Sequence, residues 1–241
     1  NIRSASGLGN GPTPVDADHA LTGPSRRRFL KRTALVTAAA VPAALLAASP
    51  EAEAQAQSEN NIRELSLNFR SIQKHENEHT AFLLNQLGTA APQVQFVGLQ
   101  QRNFRAFRDL AVLFENTGSR TYTGASPLIF SRDVLRMTAP IALVEGRHAG
   151  WLNTIVGQTT TGHIGDASFE QPLTPTETAT AVAPFLAPPG PDLALALARA
   201  IEASDPSPEN DTRILQFAFV LEALEAEFYN LNVPRIFRGR R

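Results

Sequence analysis

The chain contains no cysteine. That excludes disulfides, thiolate nucleophiles and sulfur-built zinc or iron–sulfur sites, so any metal here is held by nitrogen and oxygen. A surplus of one charge is missing too: 22 Lys and Arg stand against 23 Asp and Glu, a formal net charge of −1. No global field points to nucleic acid. The basic residues cluster instead at 26–32 and in the 235–241 tail, which reads as a solvated end. Strand-like alternation is nearly absent, which leaves helices to build the core. The longest weakly apolar run, 33–50, is short for a membrane span and is interrupted by Pro42. What is present is 43% apolar and 19% charged residues over 241 positions. This is the balance of a globular protein with one good-sized core and some appendages.

Residues 1–24 are rich in Gly, Pro and Ser without periodicity, and read as a disordered leader. From Ser25 the sequence runs S-R-R-R-F-L-K, followed by the alanine-rich stretch and small-x-small sites at Ala52-Glu53-Ala54 and Ala54-Gln55-Ala56. This resembles a bacterial twin-arginine signal over 25–56. It implies the twin-arginine translocase as a partner, and the periplasm or cell envelope as destination.

Residues 57–241 should then form the folded domain. Apolar positions at alternating steps of three and four predict helices over 61–87, 92–116, 127–156 and 211–230. Gly88 and Gly118 are expected to stop the first two, Pro140 to kink the third, and Asn210 with Asp211 to cap the fourth. A loop is expected at 118–126. A linker over 157–208 carries two candidate short helices, 175–186 and 192–203. The expected fold class is all-α.

The informative residues are ionisable ones on apolar seams. In the first helix Glu76 and His79 follow Ile62, Leu65, Phe69 and Ile72 and precede Leu83 and Leu87. In the third, Glu145 and His148 lie in line with Val134, Thr138, Ile141 and Leu152. Each pair is Glu-x-x-His, and spacing of three stacks both side chains on one face. Burying carboxylates costs several kcal/mol unless they are paired or coordinated, and two metal ions would satisfy all of these. Glu115 at the end of the second apolar run and Glu222 in the last helix supply two further acids, with Glu225 and Tyr229 on the same side as Glu222. Two Glu-x-x-His motifs plus one Glu from each of two other helices is the ligand set of a di-iron bundle. The candidate ligands are therefore Glu76, His79, Glu115, Glu145, His148 and Glu222, around two iron or two manganese ions.

The pieces H-E-N-E-H-T-A-F-L, Y-T-G-A-S-P, V-E-G-R-H-A-G-W-L and the Pro172–Leu186 segment resemble bacterial ferritin-like proteins related to desiccation-related proteins. The resemblance implies a ferritin-like four-helix bundle. It places the same six residues on the metal positions and Tyr229 beside them. It further implies ferroxidase- or oxidase-type chemistry or a stress-protective role, and is compatible with a homo-oligomer. The 214–229 segment is similar to that family's first helix, yet here it comes last, as if the chain were circularly permuted; a misassembled gene or a helix donated to a neighbouring chain would give the same order.

Two other readings stand beside this one. His75-Glu76-Asn77-Glu78-His79 matches H-E-x-x-H, a zinc-peptidase helix, with His75 and His79 as ligands and Glu76 as base. A non-catalytic bundle, structural or stress-related, is the other. Glu64, Glu78 and Glu227 are assigned to solvent, and His163 to a loop. The export signal is tested directly by replacing Arg26-Arg27 with Lys-Lys, which should leave the precursor in the cytoplasm; unchanged export would defeat it.

Overall fold

The computed structural model of the chain describes residues 50–162 and 167–239. Contacts divide the chain between Glu53 and Ala54, and all packing below lies within the second unit. The leader expected at 1–24, most of the signal expected at 25–56, and His163 lie outside the described residues.

Six α-helices make up the described fold: α1 Pro50–Leu87, α2 Phe104–Ala125, α3 Arg132–Ile155, α4 Pro175–Val182, α5 Gly190–Glu202 and α6 Pro208–Ile236. The described residues contain no strand, only one isolated antiparallel bridge between Phe96 and Leu186. The fold is all-α, and none of the described helices is long and apolar enough to cross a membrane.

Four helices are long, and α2 is the central one: Phe114, Glu115, Asn116, Thr117, Gly118 and Ser119 are all buried, so no face of that stretch meets water. It packs on α3, its partner in a helical hairpin, and on α4 and α6. A reciprocal amide pair, Asn116 with Asn153, locks the hairpin's register at 2.9 and 3.2 Å. Helices α1 and α6 run antiparallel side by side. Arg70 reaches the Phe237 carbonyl, Gln73 the Asn230 side chain, and His79 Glu222, while Gln216 reaches the Ala90 carbonyl. The last helix thus lies along the first. Its Leu215, Phe217, Ala218, Leu221 and Phe228 are all buried.

Several boundaries differ from those read in the sequence. Helix α1 begins at Pro50 rather than near 61, because Glu-, Ala- and Gln-rich sequence extends a helix without needing an apolar seam. Residues 92–103 are not helical. Gly98 takes φ +71, and 95–97 pair with 185–187 through the Val97 and Ala187 amides. Helix α2 starts instead at Asn103, whose side chain caps Ala106. It continues through Gly118 and covers most of the expected loop. Pro140 does not interrupt α3. Both Pro140 and Arg136, whose carbonyl loses its partner, are exposed, so water can satisfy it. Ser207, not Asn210 or Asp211, caps α6. The two linker helices form close to where their spacing places them, as α4 and α5.

Asp211 has a different task. Buried at 3% exposure, its two oxygens accept the backbone N–H groups of Phe130 and Ser131, each at 2.8 Å, and so pin the α2–α3 connection to α6. Replacing Asp211 with Ala should cost about 1.5–3 kcal/mol, because two part-buried backbone amides lose a charged acceptor. Urea unfolding of the two proteins measures this, and an equal midpoint would contradict the assignment.

Candidate metal centre

The apolar core is split. One cluster contains Phe69, Ile72, Phe107, Phe114, Leu152, Phe228 and Val233. The other contains Leu83, Leu87, Tyr122, Val134, Ile141, Leu215 and Phe219. Along every long helix the acids fall where the chain passes from one to the other: Glu76 between Ile72 and Leu83, Glu115 beside Phe114, Glu145 between Ile141 and Leu152, and Glu222 between Phe219 and Phe228. The three-and-four spacing turns each of them inward. Glu76, Glu115 and Glu145 are 0% exposed, Glu222 1% and Glu225 4%. Glu64, Glu78 and Glu227 face solvent.

All six expected residues meet. Ligand atoms of Glu76, Glu115, Glu145 and His148 lie within 4.8 Å of one another, and so do those of Glu76, His79, Glu145 and Glu222. The two groups share Glu76 and Glu145. Glu225 belongs to neither group.

The histidine nitrogens show what the groups converge on. His79 Nδ1 lies 3.1 Å from Glu222 Oε2, 3.3 Å from Glu76 Oε2 and 3.4 Å from Glu145 Oε1. His148 Nδ1 lies 3.0 Å from both Glu76 Oε1 and Glu115 Oε2, and 3.9 Å from Glu145 Oε1. One N–H cannot serve three carboxylates from three different helices. Glu76 Oε1 and both oxygens of Glu145 are accordingly buried without a hydrogen bond. Orphaned carboxylate oxygens facing imidazole Nδ1 atoms are what a cation would satisfy, and an all-oxygen-and-nitrogen donor set suits iron or manganese. The residues present therefore fit a metal pair.

The outer oxygens are held by tyrosines. The Tyr122 hydroxyl donates to Glu222 Oε1 at 2.5 Å, and the Tyr229 hydroxyl to Glu115 Oε1 at 2.6 Å. Each leaves the other carboxylate oxygen turned toward the cluster. Burial, reinforced by Glu222 for Tyr122 and by Glu115 for Tyr229, pushes both phenols well above their ordinary range. A glycine makes the room. A Cβ on Gly118 would sit 2.7 Å from Glu145 Oε2 and 3.4 Å from Glu225 Oε1, so any side chain there would displace the carboxylate.

Three residues take parts in the site other than those expected from the sequence. Tyr122 was expected in a loop, but it lies seven residues after Glu115 on the same helix; continuing α2 past Gly118 would have found it. Glu225, the alternative to Glu222 on the same helix face, is buried as well, beside Glu145 and outside both converging groups. His75 lies off the seam, but its Nδ1 is 2.9 Å from His148 Nε2. That contact also bears on the H-E-x-x-H reading: neither converging group contains His75, which faces the outer nitrogen of His148 instead of joining His79.

Burial and mutual repulsion favour the protonated forms of the clustered carboxyls. Burial, then Glu115, raises the Glu76 carboxyl to about 7. Burial, then Glu76, lifts Glu145 well above the carboxylate range, and burial with Glu145 does the same to Glu225. Burial alone would lower the two histidines. The nearby carboxylates of Glu145, Glu222 and Glu76 override it for His79, pushed up to about 12, while those of Glu115 and Glu76 do so for His148, pushed up to about 11. Every one of these folded-state values is raised. Each group's contribution is therefore complete below its unfolded value and is lost as pH rises toward the folded one. Metal-free protein should lose stability steadily from pH 5 to pH 9. Denaturant melts in chelator across that range test it, and a rising or flat profile would contradict the buried proton-holding cluster.

Comparison with protein families finds a match to the ferritin-like domain over residues 29–158, a span holding Glu76, His79, Glu115, Glu145 and His148 but not Glu222. No curated protein and no solved structure matches the chain. The matched span exceeds half of the 241 residues, and the helical bundle and its inward acids agree with it. The chain belongs to the ferritin-like domain family.

Proposed function

We propose that this chain is an exported ferritin-like protein that holds a dinuclear iron or manganese centre in its bundle. The observation that carries the reading is Glu145. Both of its oxygens are buried without a hydrogen bond, at the overlap of the two groups of converging ligand atoms. In this assignment Glu76 and Glu145 are shared, His79 and Glu222 complete one metal's set, and Glu115 and His148 complete the other's.

A bound pair of such ions supplies electron transfer to dioxygen or peroxide. The chain's own residues do the rest. Tyr122 and Tyr229 orient the two terminal carboxylates, and the two apolar clusters keep bulk water from the site. The raised carboxyls and histidines release protons as metal binds, so affinity should strengthen with rising pH.

The kinship is to desiccation-related proteins, with export by the twin-arginine route to the periplasm or cell envelope. That route carries folded proteins and suits a site filled before export. The helix order is permuted, so that α6 plays the part of the family's first helix. Two facts support the permutation: α6 lies antiparallel along α1, and its Glu222 joins Glu76, His79 and Glu145 although it lies outside the matched span. The residues between α3 and α6 are ample to span a bundle of roughly 40 Å.

Purified protein loaded with ferrous iron under nitrogen should hold close to two ions per chain, and Glu145→Ala should hold one or none. Wild-type protein with a single ion that survives Glu145→Ala would overturn the dinuclear reading. Admitting air separates a redox centre from a brace. Rapid oxidation of the bound iron with oxygen uptake is expected. Iron that stays ferrous while its removal only lowers the melting temperature would make the site structural.

A further inference from the structure

The contact between His75 and His148 lies outside both groups of converging ligand atoms. His75 is half-exposed on α1, one residue before Glu76, while His148 is buried on α3. Their nitrogens, Nδ1 of His75 and Nε2 of His148, are 2.9 Å apart. The ring planes are within 7° of parallel, with centres 5.1 Å apart. A ring nitrogen lies roughly 1.1–1.2 Å from the ring centre, so a fully in-line N–H···N bond would put the centres about 5.2 Å apart. The two rings therefore meet edge to edge in nearly one plane, as a hydrogen bond requires, and not face to face.

Two lone pairs cannot face each other at that distance, so one proton lies between the rings. His148 turns its other nitrogen, Nδ1, toward Glu76, Glu115 and Glu145. For Nδ1 to offer a lone pair to a cation, the ring's proton must sit on Nε2. His148 then donates to His75 Nδ1. That places the proton of His75 on its own Nε2, which faces Ser71 Oγ at 3.5 Å, one turn earlier on α1 and exposed.

We propose that His75 is a positioning residue for the metal centre, accepting the Nε2–H of His148 and so holding that ring in the tautomer and orientation in which Nδ1 faces the carboxylates. The inference rests on the dinuclear reading above and extends it to the outer side of the ligand. Such an outer partner fixes the ring and increases its basicity, and its loss typically weakens metal binding 10–100-fold. The effect should be one-sided. The group containing His148 should weaken, and the group containing His79, which lacks this contact, should not.

The test is an anaerobic manganese titration, followed by calorimetry and by electron paramagnetic resonance, of the wild type, His75→Leu and His75→Gln. Wild type should bind two ions. His75→Leu should bind one of them about 10–100-fold more weakly and the other unchanged. His75→Gln, whose side-chain carbonyl can accept the same proton, should recover part of the loss. Equal affinity in His75→Leu, or equal weakening of both ions, would overturn the positioning role while leaving the dinuclear centre in place. Wild type that takes up no metal would overturn the centre itself, and the inference with it. Nitrogen-15 shifts of the zinc-loaded wild type give a check that needs no variant. They should show His148 protonated at Nε2 and His75 protonated at Nε2; a His75 ring protonated at Nδ1 would refute the proposal.

Discussion

Five carboxylates and two imidazoles lie in one layer between two apolar clusters, and that burial governs the rest of the structure. Buried acids repel one another, and each carries a desolvation cost of several kcal/mol unless something neutralises it. The ion pairs to them come from His79 and His148, whose Nδ1 atoms are each shared among three carboxylates. Hydrogen bonds from Tyr122 and Tyr229 settle only the outer oxygens of Glu222 and Glu115. What remains unsatisfied is concentrated at the residues both ligand groups share, Glu76 and Glu145. An arrangement this costly is retained where a cation or protons fill it.

The scaffold reflects that need. The missing side chain at Gly118 lets the Glu145 carboxylate approach α2 closely. The amide pair of Asn116 and Asn153 fixes α2 against α3, which sets Glu115 opposite His148 at 3.0 Å. Asp211 ties the start of α6 to the connection between those helices, so Glu222, farther along the same rigid rod, reaches the cluster from the fourth side. Helices α4 and α5 have no ligand; they cover the faces of α2 and α6 that the long helices leave open.

Much of this was legible in the sequence, because seam positions report burial directly. A Glu at a position where Leu or Ile is due, followed three residues later by His, shows that an acid is inside before any coordinates do. Two such pairs on two helices, with Glu115 and Glu222, identified the six residues that the bundle brings together. The helix ends were less legible. Gly118 reads as a stop when only backbone freedom is considered, whereas its role is side-chain clearance, which depends on Glu145 arriving from another helix. Tyr122 was lost with it. Residues 92–103 carry apolar spacing, yet Gly98 and the pairing of 95–97 with 185–187 hold them extended. Asp211 looks like a cap because it begins an apolar run; its true partners are in a connection more than seventy positions earlier. Each miss involves a residue whose role is set by a distant segment. Local periodicity carries no record of that.

In the proposed centre two cations would lie where four helices converge, with Glu76 and Glu145 common to both sets of ligand atoms. Anomalous diffraction from crystals grown with manganese tests it most directly. The account predicts two manganese peaks per chain, both against Glu76 and Glu145, one beside His79 and Glu222 and the other beside His148 and Glu115. A single peak, or peaks that leave Glu145 without a metal neighbour, would contradict it.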